Sequence, residues 1–212
     1  RSIVPNTIKQ GEFSHVKLAP KRHLVSYPIK DVSELNLVLI KEQDEWQPDG
    51  WKHVEDPKVV KENFKDFSGG TAEVISSIEN VYKWGLFKYP LKQSWYNDRV
   101  ILIGDAAHPT LPFLAQGAAM AIEDSFVLAS KIFEFSNSSV AFKEFRRERF
   151  PRVQRVVLAS TKNAHIFHLS NIISRRVFQG SLRFLRKFFP HLLVKRFNWI
   201  YDHNVTNKHY SS

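Results

Sequence analysis

The spacing of apolar residues changes several times along the chain, and each change marks an element. Residues 24–29 and 35–40 are two largely apolar runs separated by a short polar link that begins at Lys30 and Asp31, which predicts two antiparallel strands. Period two puts His23, Val25 and Tyr27 on one face of the first strand and Leu24, Ser26 and Pro28 on the other, with Pro28 making that end an edge. Residues 1–20, punctuated by Pro5, Gly11 and Pro20, read as extended or irregular, and the polar, Trp- and acid-rich residues 41–56 as a surface loop. Residues 57–67 predict a helix with Pro57 in its first turn and Gly69 and Gly70 ending it. Thr71 is placed to cap a short helix to residue 78, and residues 82–88 return as strand.

Residues 100–103 form a continuous apolar run ending at Gly104, which predicts a strand buried on both faces. Asp105 follows directly, and Pro109 and Pro112 keep the next loop out of helical conformation. From Gln116 the apolar positions Ile122, Phe126, Ala129 and Phe133, widened by Leu128 and Ile132, recur at helical spacing. In such a strand–loop–helix unit a ligand binds outside the carboxyl end of the strand, facing the helix N-terminus. After a polar break at residues 136–139 the chain reads as helical throughout, over 141–150, 151–174 and 181–201, with Pro190 a boundary or kink. The fold class is therefore α/β (α+β).

Composition and charge narrow the picture. The chain has 212 residues, 43% apolar and 13% aromatic, enough for a real core, and no Cys, which excludes disulfides and thiolate metal sites and makes a cytoplasmic location the default. No apolar run approaches the roughly 20 residues of a membrane span. The net charge of +10 is unevenly placed: residues 1–139 carry 16 Lys/Arg against 18 Asp/Glu, and residues 140–212 carry 15 against 3. Basic helices rich in Phe pack with solvated charged faces in ordinary domains; the same pattern suits a membrane surface or a protein partner, while no nucleic-acid motif accompanies the charge.

Among residues that could carry chemistry, Asp105 reads either as a turn or helix cap or as an acceptor for the hydroxyls of a cofactor lying over the strand end. Glu123 and Asp124, adjacent on a helix and about 100° apart, read as structural polar contacts rather than a metal or acid–base pair, and His108 as a hydrogen-bonded structural residue. No metal site is predicted. His23 and Tyr27 share a strand face, which fits ordinary sheet packing or a pair of substrate-facing groups.

Residues 104–109, Gly-Asp-Ala-Ala-His-Pro, followed by Gln116-Gly117 and by Ala121-Ile122-Glu123-Asp124, resemble the second flavin-binding signature of the single-component FAD-dependent aromatic hydroxylases of the salicylate hydroxylase and 6-hydroxynicotinate monooxygenase type. Trp84-Gly85-Leu86-Phe87, Pro90-Leu91, Trp95 and Arg99-Val100 are similar to the lead-in to that signature, and residues 1–5 and 18–28 to the family's middle region. The resemblance implies the C-terminal part of a two-domain FAD-binding fold: substrate-domain sheet and helices over 1–92, the end of the FAD domain over 93–139, and basic helices over 140–212 packing on both. It implies that Asp105 bonds the ribityl chain of FAD, that Pro112 lies near the isoalloxazine ring, and that the helix start at Gly117, Ala118 and Ala119 approaches the ring's pyrimidine edge. It also implies that His23 and Tyr27 face the substrate and assist with the phenolic proton.

The implied activity is hydroxylation of a small aromatic substrate, a phenolic or hydroxy-heteroaromatic acid, with FAD, NAD(P)H as transient reductant, and O₂. The family's opening Gly-x-Gly-x-x-Gly unit is not in this sequence. Its absence sets the expectation that a missing N-terminal segment completes the FAD site, that the portion alone is inactive, and that the whole is a possible homodimer. Lys88-Tyr89 and Ser125 depart from the family's pattern. The competing expectation is a non-catalytic interaction module whose basic helices bind a membrane surface or a protein.

Overall fold

The computed structural model describes residues 1–45, 50 and 53–206, so part of the loop expected over 41–56 lies outside the described residues. The chain divides into two compact units, one of Arg1–Leu86 with Phe167–Ile172, the other of Phe87–Ile166 and the chain from Ile173 onward.

The first unit is built on a four-stranded antiparallel sheet of β1 (Ser2–Pro5), β2 (His15–Ala19), β3 (Arg22–Ile29) and β4 (Glu34–Lys41), in the order β1-β4-β3-β2. The two expected strands are β3 and β4, paired from Arg22↔Lys41 to Ile29↔Glu34. Residues 1–20, expected to be extended or irregular, supply both edge strands; each is only four or five residues long, too short for a strand pattern to stand out. Because β2 pairs with β3 only as far as Ser26, Pro28 sits where β3 is an edge and its missing N–H costs no ladder bond.

Two further strands, β5 (His53–Glu55) and β6 (Val81–Lys83), pair with each other, and between them lie α1 (Pro57–Asn63) and α2 (Gly70–Ser76). Asp56 caps α1 by accepting from Lys58 N–H at 2.8 Å, with Pro57 in the first turn as expected. The cap of α2 is Gly69, at φ +60°, rather than Thr71. Val4, Leu24, Leu35 and Leu37 on one sheet face pack with Phe64, Val74, Ile75 and Ile78 as the core of this unit.

In the second unit, residues 100–103 are not a doubly buried strand. Ile101 forms a single antiparallel bridge with Tyr96, Leu102 N–H donates to Trp95 O, and Asn97 Oδ1 accepts from the N–H groups of Arg99 and Val100, which together close a tight hairpin. Burial on both faces needs neighbouring strands, and among the described residues none pairs with this run, so Val100 is 55% exposed.

The helix expected from Gln116 is α3 (Gly117–Glu134), but its buried face is Met120, Asp124 and Val127, whereas Ile122 and Phe133, members of the expected stripe, are 71% and 96% exposed. Apolar spacing gave the helix and misjudged its orientation, because a buried charge, Asp124, fixes which face turns inward. Pro151 does not divide the next segment: α4 (Ser138–Phe167) runs through it, and the break falls beyond Phe167. Then come α5 (Ile172–Phe188), α6 (Pro190–Lys195) with Pro190 in its first turn, and α7 (Asn198–Tyr201). Trp95, Leu114, Met120, Val127, Phe145, Val153 and Val156 form this unit's core, whereas α5 buries no side chain.

Met120→Ala is expected to cost about 2–5 kcal/mol, and Ile122→Ala to stay within about 0.5 kcal/mol of the parent. Chemical denaturation of the two variants checks the orientation of α3; equal losses would contradict it.

Candidate functional site

The residues singled out in the second unit are gathered around one turn. Gly104 adopts φ +56°, and a Cβ added there would stand 3.1 Å from Ala121 Cβ, so both the conformation and the close approach of α3 call for glycine. Its carbonyl accepts from the N–H groups of Ala107 and His108, and its own N–H donates to Asp124 Oδ2 at 2.9 Å.

Asp124 is fully buried and also lies 2.6 Å from His108 Nε2, while its other oxygen accepts from Arg149 Nε at 2.7 Å. Arg149, 2% exposed, also reaches Glu123 at 2.7 Å. Glu123 takes two further bonds from Arg152, which donates as well to the carbonyls of Trp199 and Ile200. Burial alone would raise the pKa of Asp124, but hydrogen bonds from His108, the Gly104 N–H and Arg149 outweigh it and hold the carboxyl below its ordinary range. Glu123 is held low in the same way, its burial outweighed by Arg152 and Arg149. The structural reading of Glu123, Asp124 and His108 is what the contacts show. Arg149 and Arg152 had no such signal, because in sequence they belong to a basic stretch that reads as a solvated face.

This network leaves the N-terminus of α3 open. Gln116 at the cap position makes no side-chain cap bond, and the first intrahelical bond is from Met120 N–H to Gln116 O. The N–H groups of Gly117, Ala118 and Ala119 therefore have no cap among the described residues. Asp105, exposed, lies beside them, its Oδ1 3.7 Å from where a Cβ on Gly117 would stand. Asp105 makes no hydrogen bond or ion pair among the described residues and so does not cap the helix. Pro112 is exposed in the short turn Pro112–Leu114, whose flanking carbonyls Leu111 O and Phe113 O accept from Ser160 and Asn163 of α4. Asp105 thus lies beside the α3 start at Gly117, Ala118 and Ala119, while the contacts of the turn that holds Pro112 are to α4. Among the described residues no group of His, Asp and Glu is arranged to hold a metal.

His23 and Tyr27 belong to the other unit. His23 is 2% exposed, its Nδ1 lies 2.6 Å from His168 Nε2, and its ring meets Phe167 edge-on at 5.4 Å. Nδ1 of His168 in turn lies 2.8 Å from Glu42 Oε1. Burial first, and His168 second, push His23 down to about 4. Tyr27 is half-buried on the same strand face. Two cavities of this unit, of about 300 and 530 Å³, are lined by neither residue. His168 follows a long helix with nothing local to mark it; only the fold brings it to His23.

A family described as FAD binding domain matches residues 7–160. The chain is 34% identical over 153 residues to the 3-amino-4-hydroxybenzoate 2-monooxygenase PtnB3 of Streptomyces platensis, covering 72% of this chain and 39% of that protein. It is 30% identical over 203 residues to the 3-hydroxybenzoate 6-hydroxylase 2 of Aquipseudomonas alcaligenes, covering 92% of this chain and 59% of that one. The chain therefore spans roughly two fifths to three fifths of the length of these relatives. A solved salicylate hydroxylase substrate complex shares the fold over 97% of this chain and 54% of its own, with a TM-score of 0.80 at 19% identity. The expected mixed helix-and-sheet class is the one observed.

Two pH limbs are expected in stability. His23 takes up its proton near ~6.5 when unfolded but only near 4 when folded. The unfolded state thus binds more protons in that window, and stability falls as the pH is lowered through it. The contribution of Asp124 is present above its unfolded value of ~3.9 and is lost as pH falls through its lower folded value. Asp124→Asn should cost about 3–5 kcal/mol at neutral pH, by leaving Arg149 short of a buried partner, and should flatten the lower limb. Denaturation midpoints from about pH 8 down to the lowest pH at which the folded state persists check this; an unchanged acid limb would count against it.

Proposed function

Because the chain belongs to the FAD binding domain family, we propose that it forms the flavin-facing part of an FAD-dependent, NAD(P)H-consuming monooxygenase that hydroxylates a small phenolic or hydroxy-heteroaromatic acid. The observation that carries this reading is the uncapped N-terminus of α3 with Asp105 beside it. The residues suit the group: Asp105 has acceptor oxygens to spare for ribityl hydroxyls, and Gly117, Ala118 and Ala119 offer bare N–H donors with little side chain to keep a flat ring away. When bound, FAD would supply the reduction by NAD(P)H and the activation of O₂.

The chain's part in this proposal is to bind and orient. The positive end of α3 favours negative charge on the ring edge that it faces, an effect of about 0.3–1 kcal/mol at a surface and up to about 2 when partly buried. Pro112, in a turn held by Ser160 and Asn163, shapes the ring's surroundings. Residues 1–92 would carry the substrate sheet, 93–139 the end of the FAD domain and 140–212 the helices that brace them. Tyr27 and His23 would serve the phenolic proton. The names of the relatives, which are hydroxylases and monooxygenases of hydroxybenzoates, support the aromatic acid over a non-catalytic module.

In the enzyme that contains this chain, Asp105→Ala should weaken FAD binding by about tenfold or more, since a hydrogen bond to a charged group is worth about 1.5–3 kcal/mol. Flavin absorbance after dialysis, with NAD(P)H consumption on hydroxybenzoates, measures it. FAD content equal to the parent's would refute the role of Asp105, and a parent that takes up no flavin would refute the reading as a whole.

A further inference from the structure

We propose that α5 docks the protein on an anionic lipid surface, laying an exposed apolar stripe into the headgroup boundary while the cations beside it meet lipid phosphates. The proposal goes beyond the hydroxylase reading and does not depend on it. Its basis is a helix with the sequence of a packing helix that does not pack: α5 is 17 residues long, amphipathic, and buries no side chain.

At ~100° per residue, Val177, Phe184 and Phe188 fall within about 40° of one another around α5. They are 67%, 55% and 55% exposed. About 90° to one side of this stripe stand Phe178 and Leu185, which are half-buried. About 100° to the other side stand Arg176, Arg183 and Lys187, all exposed. A flat surface that meets the helix midway between the stripe and these cations therefore touches both and leaves the half-buried flank turned away. The two kinds of group are contiguous: the Phe184 and Phe188 rings lie 4.9 Å apart, and Lys187 Nζ stands 5.3 Å from the centre of the Phe188 ring.

Charge selects the occupant. Residues 172–201 carry seven Lys/Arg and no Asp/Glu, five of the seven on α5. Arg176, Arg183 and Lys187 make no ion pair among the described residues. A second copy of the same face would bring like charges together. A nucleic acid duplex would pair with the cations and leave the stripe in water. An anionic lipid surface uses both, with phosphates for the cations and the acyl boundary for Val177, Phe184 and Phe188, the Lys and Arg stems lying along the apolar layer. No helix among the described residues is long and apolar enough to cross a membrane, so α5 lies in the interface plane rather than spanning it.

The test uses the purified enzyme that contains this chain and its sedimentation with sucrose-loaded vesicles, either of phosphatidylcholine alone or of equal parts phosphatidylcholine and phosphatidylglycerol. Binding is expected to the mixed vesicles only, and is expected to fall as salt shortens the Debye length from about 10 Å at ~0.1 M to about 3 Å at ~1 M. Arg183→Gln combined with Lys187→Gln should weaken binding about tenfold or more. Phe184→Ser combined with Phe188→Ser should weaken it about tenfold or more by removing the apolar half of the contact. All four side chains are exposed, so neither pair of changes opens the core, and unchanged circular dichroism and thermal midpoints verify this. Failure to sediment with the mixed vesicles would overturn the proposal, as would equal binding to phosphatidylcholine alone or binding indifferent to either variant. A smaller oligomer in the Phe variant would place a second copy on the stripe and overturn it too. So would duplex RNA retained through Arg183 and Lys187 without vesicle binding. The readout needs neither flavin nor turnover, so it stands apart from the test of Asp105.

Discussion

A single buried carboxylate organises the second unit. Asp124 joins the backbone N–H of Gly104, the ring of His108 and the guanidinium of Arg149, and through them ties the turn after the 95–102 hairpin to α3 and α4. A charge with no access to water is tolerable only when nearly all its lone pairs are used. Meeting that demand fixes the rotation of α3, the conformation of the turn and the place of α4. The open N-terminus of α3 and the exposed Asp105 are what remain once those positions are set. Two aspartate-bearing segments thus differ in kind: one acid is spent inside the structure, and the other is exposed and makes no hydrogen bond or ion pair among the described residues.

Much of this was legible in the sequence, and the misses share a cause. The β3 and β4 pair and the helix after Gln116 follow from patterns a few residues long, which local spacing captures. The doubly buried strand at 100–103 did not, because burial depends on neighbours and not on the run itself. The inward face of α3 was misread because hydropathy counts an acid as a solvent-facing residue, while Asp124 is as fully buried as Met120 and Val127. Pro151 reads as a helix break, yet α4 continues through it with Val153 and Val156 in the core on its far side. Arg149 and His168 are distant in sequence from the groups they serve, and no local signal names them.

The first unit places its chemistry differently. One face of its sheet is given to the apolar core with α1 and α2, and the other carries His23, Tyr27 and Asn36. His23 combines near-complete burial with a polar partner that reaches it from residue 168, so its state depends on a stretch of chain more than 140 residues away. The lowered pKa of His23 reflects that enclosure: the ring is kept neutral by lack of water and by a second imidazole at its side.

That stretch of chain has a topological consequence. Phe167–Ile172 belongs to the first unit, although the sequence on either side of it belongs to the second. The polypeptide therefore passes between the units three times, and no single cleavage releases either of them whole. A first unit cut out at Leu86 would lose His168 and Phe167 from beside His23. The sheet is thus not a self-contained cassette: a transfer that keeps the contacts of His23 with His168 and Phe167 has to bring residues 167–172 along.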